Sequence, residues 1–212
     1  MSKKPVTTTA IKPRTSTQGA LLKNLNELPL TFAIGPAGTG KSYISTRVGC
    51  SLLQDGIVSK FIVTRPIIEA EEKLGFLPGT FRDKVAPYFL PIREIMIEHF
   101  GPVEFNRREQ AGEIEFAPLA YMRGRTFKHC FVLLDEAQNT TRGQMKLFLT
   151  RLGEGARACV DGDTDQSDLP GPNGLDDALK KLKDIEGINC FQFSVAEVVR
   201  SDLVKKIIEA YA

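Results

Sequence analysis

The sequence predicts an α/β fold built on a mostly parallel sheet with helices on both faces. Three observations carry that prediction. Short apolar runs alternate with segments of helical periodicity along the chain. A glycine-rich turn at 35–40 joins the first apolar run to a helical pattern, making a β–loop–α–β unit with the run at 61–64. The most apolar run, His129–Leu134, lies in mid-sequence and reads as a central strand buried on both faces.

Taken in order, residues 1–16 hold two prolines and many Ser and Thr, and read as a flexible tail. Residues 17–212 then read as one domain with an insertion around 65–112. Ala20, Leu21, Leu22, Leu25 and Leu28 give 18–28 a helical spacing. Leu30–Ile34 reads as a strand, Lys41–Leu53 as a helix and Phe61–Thr64 as a strand. Pro66, Pro78 and Gly79 make 65–79 a loop. A helix is expected over 81–100, kinked or split by Pro87 and Pro91. The polar stretch 101–112 yields no assignment. Ile114–Ala117 is a strand. Thr141 and Gln144 have the capping-box spacing at the head of a helix to Leu152. A strand at Ala156–Val160, a helix at Leu175–Leu182 and a strand at Ile188–Phe193 follow. Ser194 and Glu197 form a second capping-box signature before a terminal amphipathic helix, 203–211.

Composition narrows the class little. The 212 residues carry a formal net charge of +2, which neither demands nor forbids a nucleic-acid partner. Cys50, Cys130, Cys159 and Cys190 form no CxxC pair, so buried free thiols in a reducing compartment are expected. The two histidines add no zinc-ligand spacing; His99 reads as a helix-end cation and His129 as a strand-edge residue. There is no signal-like segment and no apolar stretch of membrane-spanning length, so a cytoplasmic protein without a membrane partner is expected.

The chemistry is concentrated in one motif. Gly35-Pro36-Ala37-Gly38-Thr39-Gly40-Lys41-Ser42 satisfies G-x-x-x-x-G-K-[ST] between a strand and a helix. Glycines let backbone N–H groups turn toward phosphates, and the helix start favours an anion. Lys41 can reach the β and γ phosphates and Ser42 can ligate magnesium, so ATP or a similar nucleotide with Mg2+ is the expected ligand. Asp135 and Glu136 end the central strand, where α/β sheets place ligands. Asp135 is placed to hold the metal, and Glu136 to act as general base on water. The run 162–166, GDTDQ, would lie on the same sheet edge; Asp163 and Gln166 there either sense the γ-phosphate or merely make a turn.

Arg123, Arg125 and Arg200 compete for a transition-state role, against the commoner alternative of surface ion pairs. Gln18 can read an adenine edge or simply start a helix. Arg107, Arg108, Arg123, Arg125 and Lys128 offer a basic surface for single strands. Phe76, Phe81, Tyr88 and Phe89 offer stacking rings, although core packing suits most of these aromatics better.

These residues resemble the PhoH-like ATPases, P-loop NTPases akin to superfamily 1 helicase cores. The marks are GPAGTGKS (35–42), TRP (64–66), LGFLPG (74–79), RGRT (123–126), LLDEAQNT (133–140), GDTDQSDL (162–169) and VVRSDLV (198–204). The resemblance runs from about residue 17 to the end. It implies a three-layer fold with a RecA-like, helicase-like core. It implies an adenine-reading Gln18, and Gln138 and Gln166 coupled to the γ-phosphate. It also implies an Arg200 that completes a neighbour's site in a ring, most simply a hexamer. RNA or single-stranded DNA is the implied partner, with Arg65 and the 64–79 loop as candidate contacts. Ser201 stands where relatives often have histidine. Some relatives carry a PIN nuclease or RNA-binding module, for which these 212 residues leave no room, so nuclease activity is not expected. The compact form resembles versions encoded by bacteriophages, which would place it in the host cytoplasm.

Three functions follow. The leading one is an ATPase coupled to nucleic acid. A small-molecule kinase and a nucleotide-gated binding protein share the same phosphate cradle.

Overall fold

The computed structural model describes residues 11–67 and 85–199. The helices are α1 (Ser16–Glu27), α2 (Lys41–Gln54), α3 (Leu90–Phe100), α4 (Pro102–Gln110), α5 (Arg142–Leu149) and α6 (Gly174–Leu182). The strands are β1 (Leu30–Ile34), β2 (Lys60–Arg65), β3 (Ile114–Pro118), β4 (Cys130–Leu134), β5 (Arg157–Gly162) and β6 (Ile188–Gln192). They form one six-stranded sheet in the order β3-β2-β4-β5-β1-β6. Every pairing in it is parallel. One strand, β5, therefore separates β1, which leads into the glycine turn, from β4, which leads into Asp135.

The strand pleat sorts the core into two layers. Phe61, Val63, Phe131, Leu133, Ala33 and Cys159 face α1 to α4. Ile62, Val132, Leu134, Phe32, Ile34 and Val160 alternate with them and face α5 and α6. Helix α2 lies close on the sheet because Gly49 sits where a Cβ would come within 2.6 Å of Phe61 and Phe131. Those two rings meet edge to face with centroids 5.2 Å apart.

Several local expectations are met in detail. Thr141 and Gln144 complete both halves of the capping box ahead of α5, which ends at Leu149 rather than Leu152. Pro87 falls in a short 3-10 turn, Ala86–Phe89, and Pro91 in the first turn of α3, where its missing N–H costs no helical bond. Ser194 and Glu197 do form a capping box, but it closes a 3-10 turn at Val195–Glu197. The expected terminal helix lies outside the described residues, as do LGFLPG, Phe76, Phe81 and Arg200.

One unassigned stretch is filled and three readings are corrected. The polar stretch after Gly101 holds α4, with Pro102 at its first position and Phe105 as its one buried side chain. Residues 11–15 are not simply tail: Ile11 packs on the core, Pro13 lies 3.7 Å from where a Cβ on Gly19 would stand, and Thr15 caps α1. Cys50, Cys130 and Cys159 are buried, but Cys190, on edge strand β6, is exposed. His99 is no helix-end cation. It is buried against Phe100 and bonded to the Gln54 side chain. Burial first, then the charges of Arg47 and Arg108, push its pKa down to about 4, so it is neutral at pH 7.

Candidate functional site

The cleft lies at the carboxyl ends of β1, β4 and β5. It has a volume of about 260 Å³ and brings together Lys41, Ser42, Asp135, Glu136, Asp161, Asp163 and Gln166. Its floor is the 35–40 turn. Gly35, Gly38 and Gly40 have φ of 135°, 86° and 84°, which L side chains rarely adopt. At Gly40 a Cβ would also meet the Gln18 amide at 2.9 Å. Helix α2 then begins at Lys41 with no side-chain cap, so its first N–H groups face the cleft as an anion site.

Lys41 is buried and folded onto its own loop. Its Nζ donates to the carbonyls of Gly35 at 2.6 Å and Pro36 at 2.9 Å. Ser42 Oγ donates to Asp161 Oδ2 at 2.5 Å. Asp161 is the residue that sequence reasoning missed. It sits inside β5, and only the strand order brings β5 between the glycine turn and Asp135. Its carboxyl is pushed up first by burial and then by the charge of Asp135; Lys41 and the Ser42 bond oppose that rise. Asp135 is also raised, mainly by burial, with Arg65 lowering and Glu136 raising it.

Two buried carboxylates beside a serine hydroxyl form a donor set suited to a hard cation. No group of three or more His, Cys, Asp or Glu among the described residues would cage a metal alone. Magnesium keeps waters and substrate phosphates in its shell and takes few protein ligands. Ser42 and Asp135 fit this role, with Asp161 behind Ser42.

Glu136 follows Asp135 in the left-handed region, at φ 54°. Arg65 Nη2 donates to its Oε1 at 2.8 Å, and Gln138 Nε2 donates to its Oε2 at 2.5 Å. Gln138 Oε1 in turn accepts the Asp163 N–H at 3.1 Å, linking the ends of β4 and β5. Arg65 thus faces inward, and its other nitrogen donates to the Tyr88 carbonyl at 2.7 Å. Gln166 lines the cleft, its N–H bonded to the Asp163 carbonyl at 3.2 Å.

A second cavity of about 600 Å³ adjoins the first and shares Gly38, Gly40 and Tyr43 with it. Gln18 lines this cavity together with Pro13, Arg14 and Val199. Gln18 Nε2 donates to the Thr39 carbonyl at 2.8 Å, and its Oε1 accepts the Arg14 N–H at 2.7 Å. One amide hydrogen and one lone pair remain for a ligand. The Val199 N–H donates to the Gly38 carbonyl at 2.9 Å, so the residue before Arg200 rests on the same loop.

The other arginines lie elsewhere. Arg125 pairs with Glu115 at 2.5 and 2.9 Å, near the amino-terminal ends of β2 and β3 and away from the cleft. Arg107 and Arg108 are each bonded to Glu104 and Glu113. The basic surface read from these residues is therefore largely self-neutralised. Arg123 and Lys128 are exposed on the chain leading into β4.

The PhoH-like protein family model matches residues 10–212. The chain belongs to the PhoH-like family. It is 46% identical over 204 residues to the PhoH-like protein of Bacillus subtilis, covering 95% of this chain and 64% of that one. It is also 46% identical to the PhoH-like protein of Mycobacterium tuberculosis, covering 95% and 58%. Protein PhoH of Escherichia coli is 43% identical over 209 residues, covering 97% and 59%. The chain thus spans about three-fifths of the length of these relatives. Among solved structures, the large terminase of a thermophilic bacteriophage aligns with a TM-score of 0.60 at 14% identity, covering 95% of this chain and 51% of that one. That likeness concerns the fold, which is the three-layer α/β fold of a P-loop NTPase. No helix among the described residues is long and apolar enough to cross a membrane.

Proposed function

We propose that this chain binds ATP with Mg2+ in the 35–42 cleft and hydrolyses it. The observation that carries this reading is the convergence of Lys41, Ser42, Asp161, Asp135 and Glu136 on one side of the glycine turn. Backbone N–H groups of the turn and the start of α2 bind the phosphates. Lys41 exchanges the Gly35 and Pro36 carbonyls for β and γ phosphate oxygens. Ser42 and Asp135 hold the magnesium, Asp135 directly or through water. The metal supplies charge neutralisation on the phosphates. Glu136 takes a proton from water as the water oxygen bonds to the γ-phosphorus. The bond from that phosphorus to the β,γ-bridging oxygen breaks, giving ADP and inorganic phosphate. Gln166 and Gln138 sit where the γ-phosphate state can be felt. Gln18 reads the adenine edge with its remaining donor and acceptor.

Coupling to RNA or single-stranded DNA is the further part of this reading, with assembly into a ring, most simply a hexamer. Support comes from family membership and from Val199, which brings the chain onto the glycine turn one residue before Arg200. Arg200 is the arginine proposed to complete a neighbouring site.

The test is steady-state ATP hydrolysis by wild type and Glu136→Gln, with and without single-stranded RNA and DNA. The expected result is a fall of about 10²–10⁴ for the variant and stimulation of the wild type by nucleic acid. A Glu136→Gln protein that turns over normally would remove Glu136 from its role. A wild type indifferent to both nucleic acids would leave the ATPase without the coupling.

A further inference from the structure

We infer that Arg65 is a positioning residue for Glu136, holding the base carboxylate on the cleft together with Gln138. The inference rests on the reading of Glu136 as the general base. It replaces the expectation that Arg65 faces nucleic acid.

Strand register brings the two residues together. Strands β2 and β4 are neighbours with Thr64 opposite Leu134. The residues that follow emerge side by side, and the Asp135 N–H donates to the Thr64 carbonyl at 2.9 Å. Arg65, the last residue of β2, is therefore delivered to the point where Asp135 and Glu136 leave β4. Glu136 stands in the left-handed region, uncommon for a side-chain-bearing residue, and this turn sets the direction of its side chain.

Both carboxylate oxygens are then held by groups that are themselves held. Arg65 Nη2 takes Oε1 at 2.8 Å while Arg65 Nη1 is anchored on the Tyr88 carbonyl at 2.7 Å. Gln138 Nε2 takes Oε2 at 2.5 Å while its Oε1 is anchored on the Asp163 N–H at 3.1 Å. A plain surface ion pair has no such second anchors and contributes little. Arg65 is also close to Asp135, with Nη1 3.9 Å from Oδ2. One guanidinium thereby spans the metal-side carboxylate, the base and the 3-10 turn at Ala86–Phe89.

The hold leaves the base usable. A carboxylate has about four lone-pair sites, and two are taken here. A water can still donate to either oxygen while the group is kept in line. Misplacement of a reacting group by about 1 Å can cost roughly 10² in rate, which sets the scale of the effect. Lysine cannot reproduce the arrangement, because a point-like ammonium does not bridge two acceptors as a planar fork does.

The experiment measures kcat and KM for ATP in wild type, Arg65→Ala, Arg65→Lys, Glu136→Gln and Arg65→Ala/Glu136→Gln, with melting curves for each. The expected result is a kcat about 10–100-fold lower in Arg65→Ala with KM changed less than about threefold. Arg65→Lys should recover part of the loss. The double variant should be no slower than Glu136→Gln alone, since the two residues act as one unit. An unchanged or raised kcat in Arg65→Ala overturns the inference, as does a loss confined to KM or one that adds fully to Glu136→Gln. If Arg65→Ala melts below the assay temperature, the same cycle with Arg65→Lys decides the question. A Glu136→Gln protein with normal turnover strikes instead at the base assignment; a slow Glu136→Gln beside a normal Arg65→Ala strikes only at Arg65.

Discussion

The two ends of the sheet carry similar charged residues and use them in opposite ways. At the amino-terminal end, Arg107, Arg108 and Arg125 are each matched to glutamates at 104, 113 or 115, and Lys60 adds a further pair with Glu115. At the carboxyl end, Asp135, Glu136, Asp161 and Asp163 line one cleft with Lys41, and that lysine is bonded to carbonyls instead of carboxylates. The first arrangement is closed: charge meets charge, and Glu115 is held below the usual carboxylate range, chiefly by its bond from Arg125. The second is open: burial first, then neighbouring carboxylates, raise Asp135 and Asp161, so both carboxyls stand to gain from a cation. Glu136 is itself paired with Arg65 at 2.8 Å, so what separates site from structure is the surplus of carboxyls over cations in the cleft, not the lack of any pair.

Among the stability tests of this contrast, the largest effect is expected at Asp161. Asp161→Asn removes a buried charge while keeping its shape. If the carboxyl end is built for a ligand, the ligand-free variant should melt higher than wild type at neutral pH. The sign follows from the raised folded pKa, which makes the ionised form a burden above the unfolded pKa of 3.8. Magnesium-dependent hydrolysis should fall about 10–100-fold, because the acceptor that orients the Ser42 hydroxyl loses its charge. Calorimetry and turnover read the two effects; a lower melting point with normal turnover would make Asp161 merely structural.

A second test lies away from both ends, at His99. Its folded pKa near 4 is below the ordinary 6.5, so the unfolded chain binds the extra proton between those values. Stability associated with neutral His99 is present above pH 6.5 and is lost as pH falls toward 4. The loss is on the order of 2–3 kcal/mol. Asp135 and Asp161 act with opposite sign, losing stability as pH rises, so the readout is the difference between wild type and His99→Gln in urea melts across that range. Parallel pH profiles for the two proteins would contradict the buried, neutral histidine.

The smallest effect is expected at the amino-terminal end. Arg125→Gln should cost about 1 kcal/mol or less, since the pair is partly exposed, and should leave ATP affinity unchanged. Weakened ATP binding in that variant would mean the closed end communicates with the cleft.

Much of this contrast was legible in the chain, for local reasons. The phosphate loop is a contiguous pattern whose glycines are dictated by φ, and Asp135-Glu136 follows a strand too apolar to be anything but central. The capping box at Thr141 needs only two residues three apart. What escaped depends on neighbours distant in sequence. Asp161 looks like the end of an ordinary strand until β5 is placed between β1 and β4. Helix α4 has a single buried side chain, Phe105, so it lacks a hydrophobic stripe to announce it. His99 reads as a helix-end cation because nothing local reveals Gln54 and Arg47 closing around it from another helix. Arg65 reads as a surface contact because its partner, Glu136, is 71 residues away.

The most direct measurement is calorimetric titration of Mg-ATP into wild type, Lys41→Ala and Arg125→Gln, with circular dichroism to verify the fold. Binding by wild type and Arg125→Gln with equal affinity is predicted, and none detectable in a folded Lys41→Ala. A Lys41→Ala protein that binds Mg-ATP as tightly as wild type would contradict the assignment of the open, carboxyl-lined end as the nucleotide site.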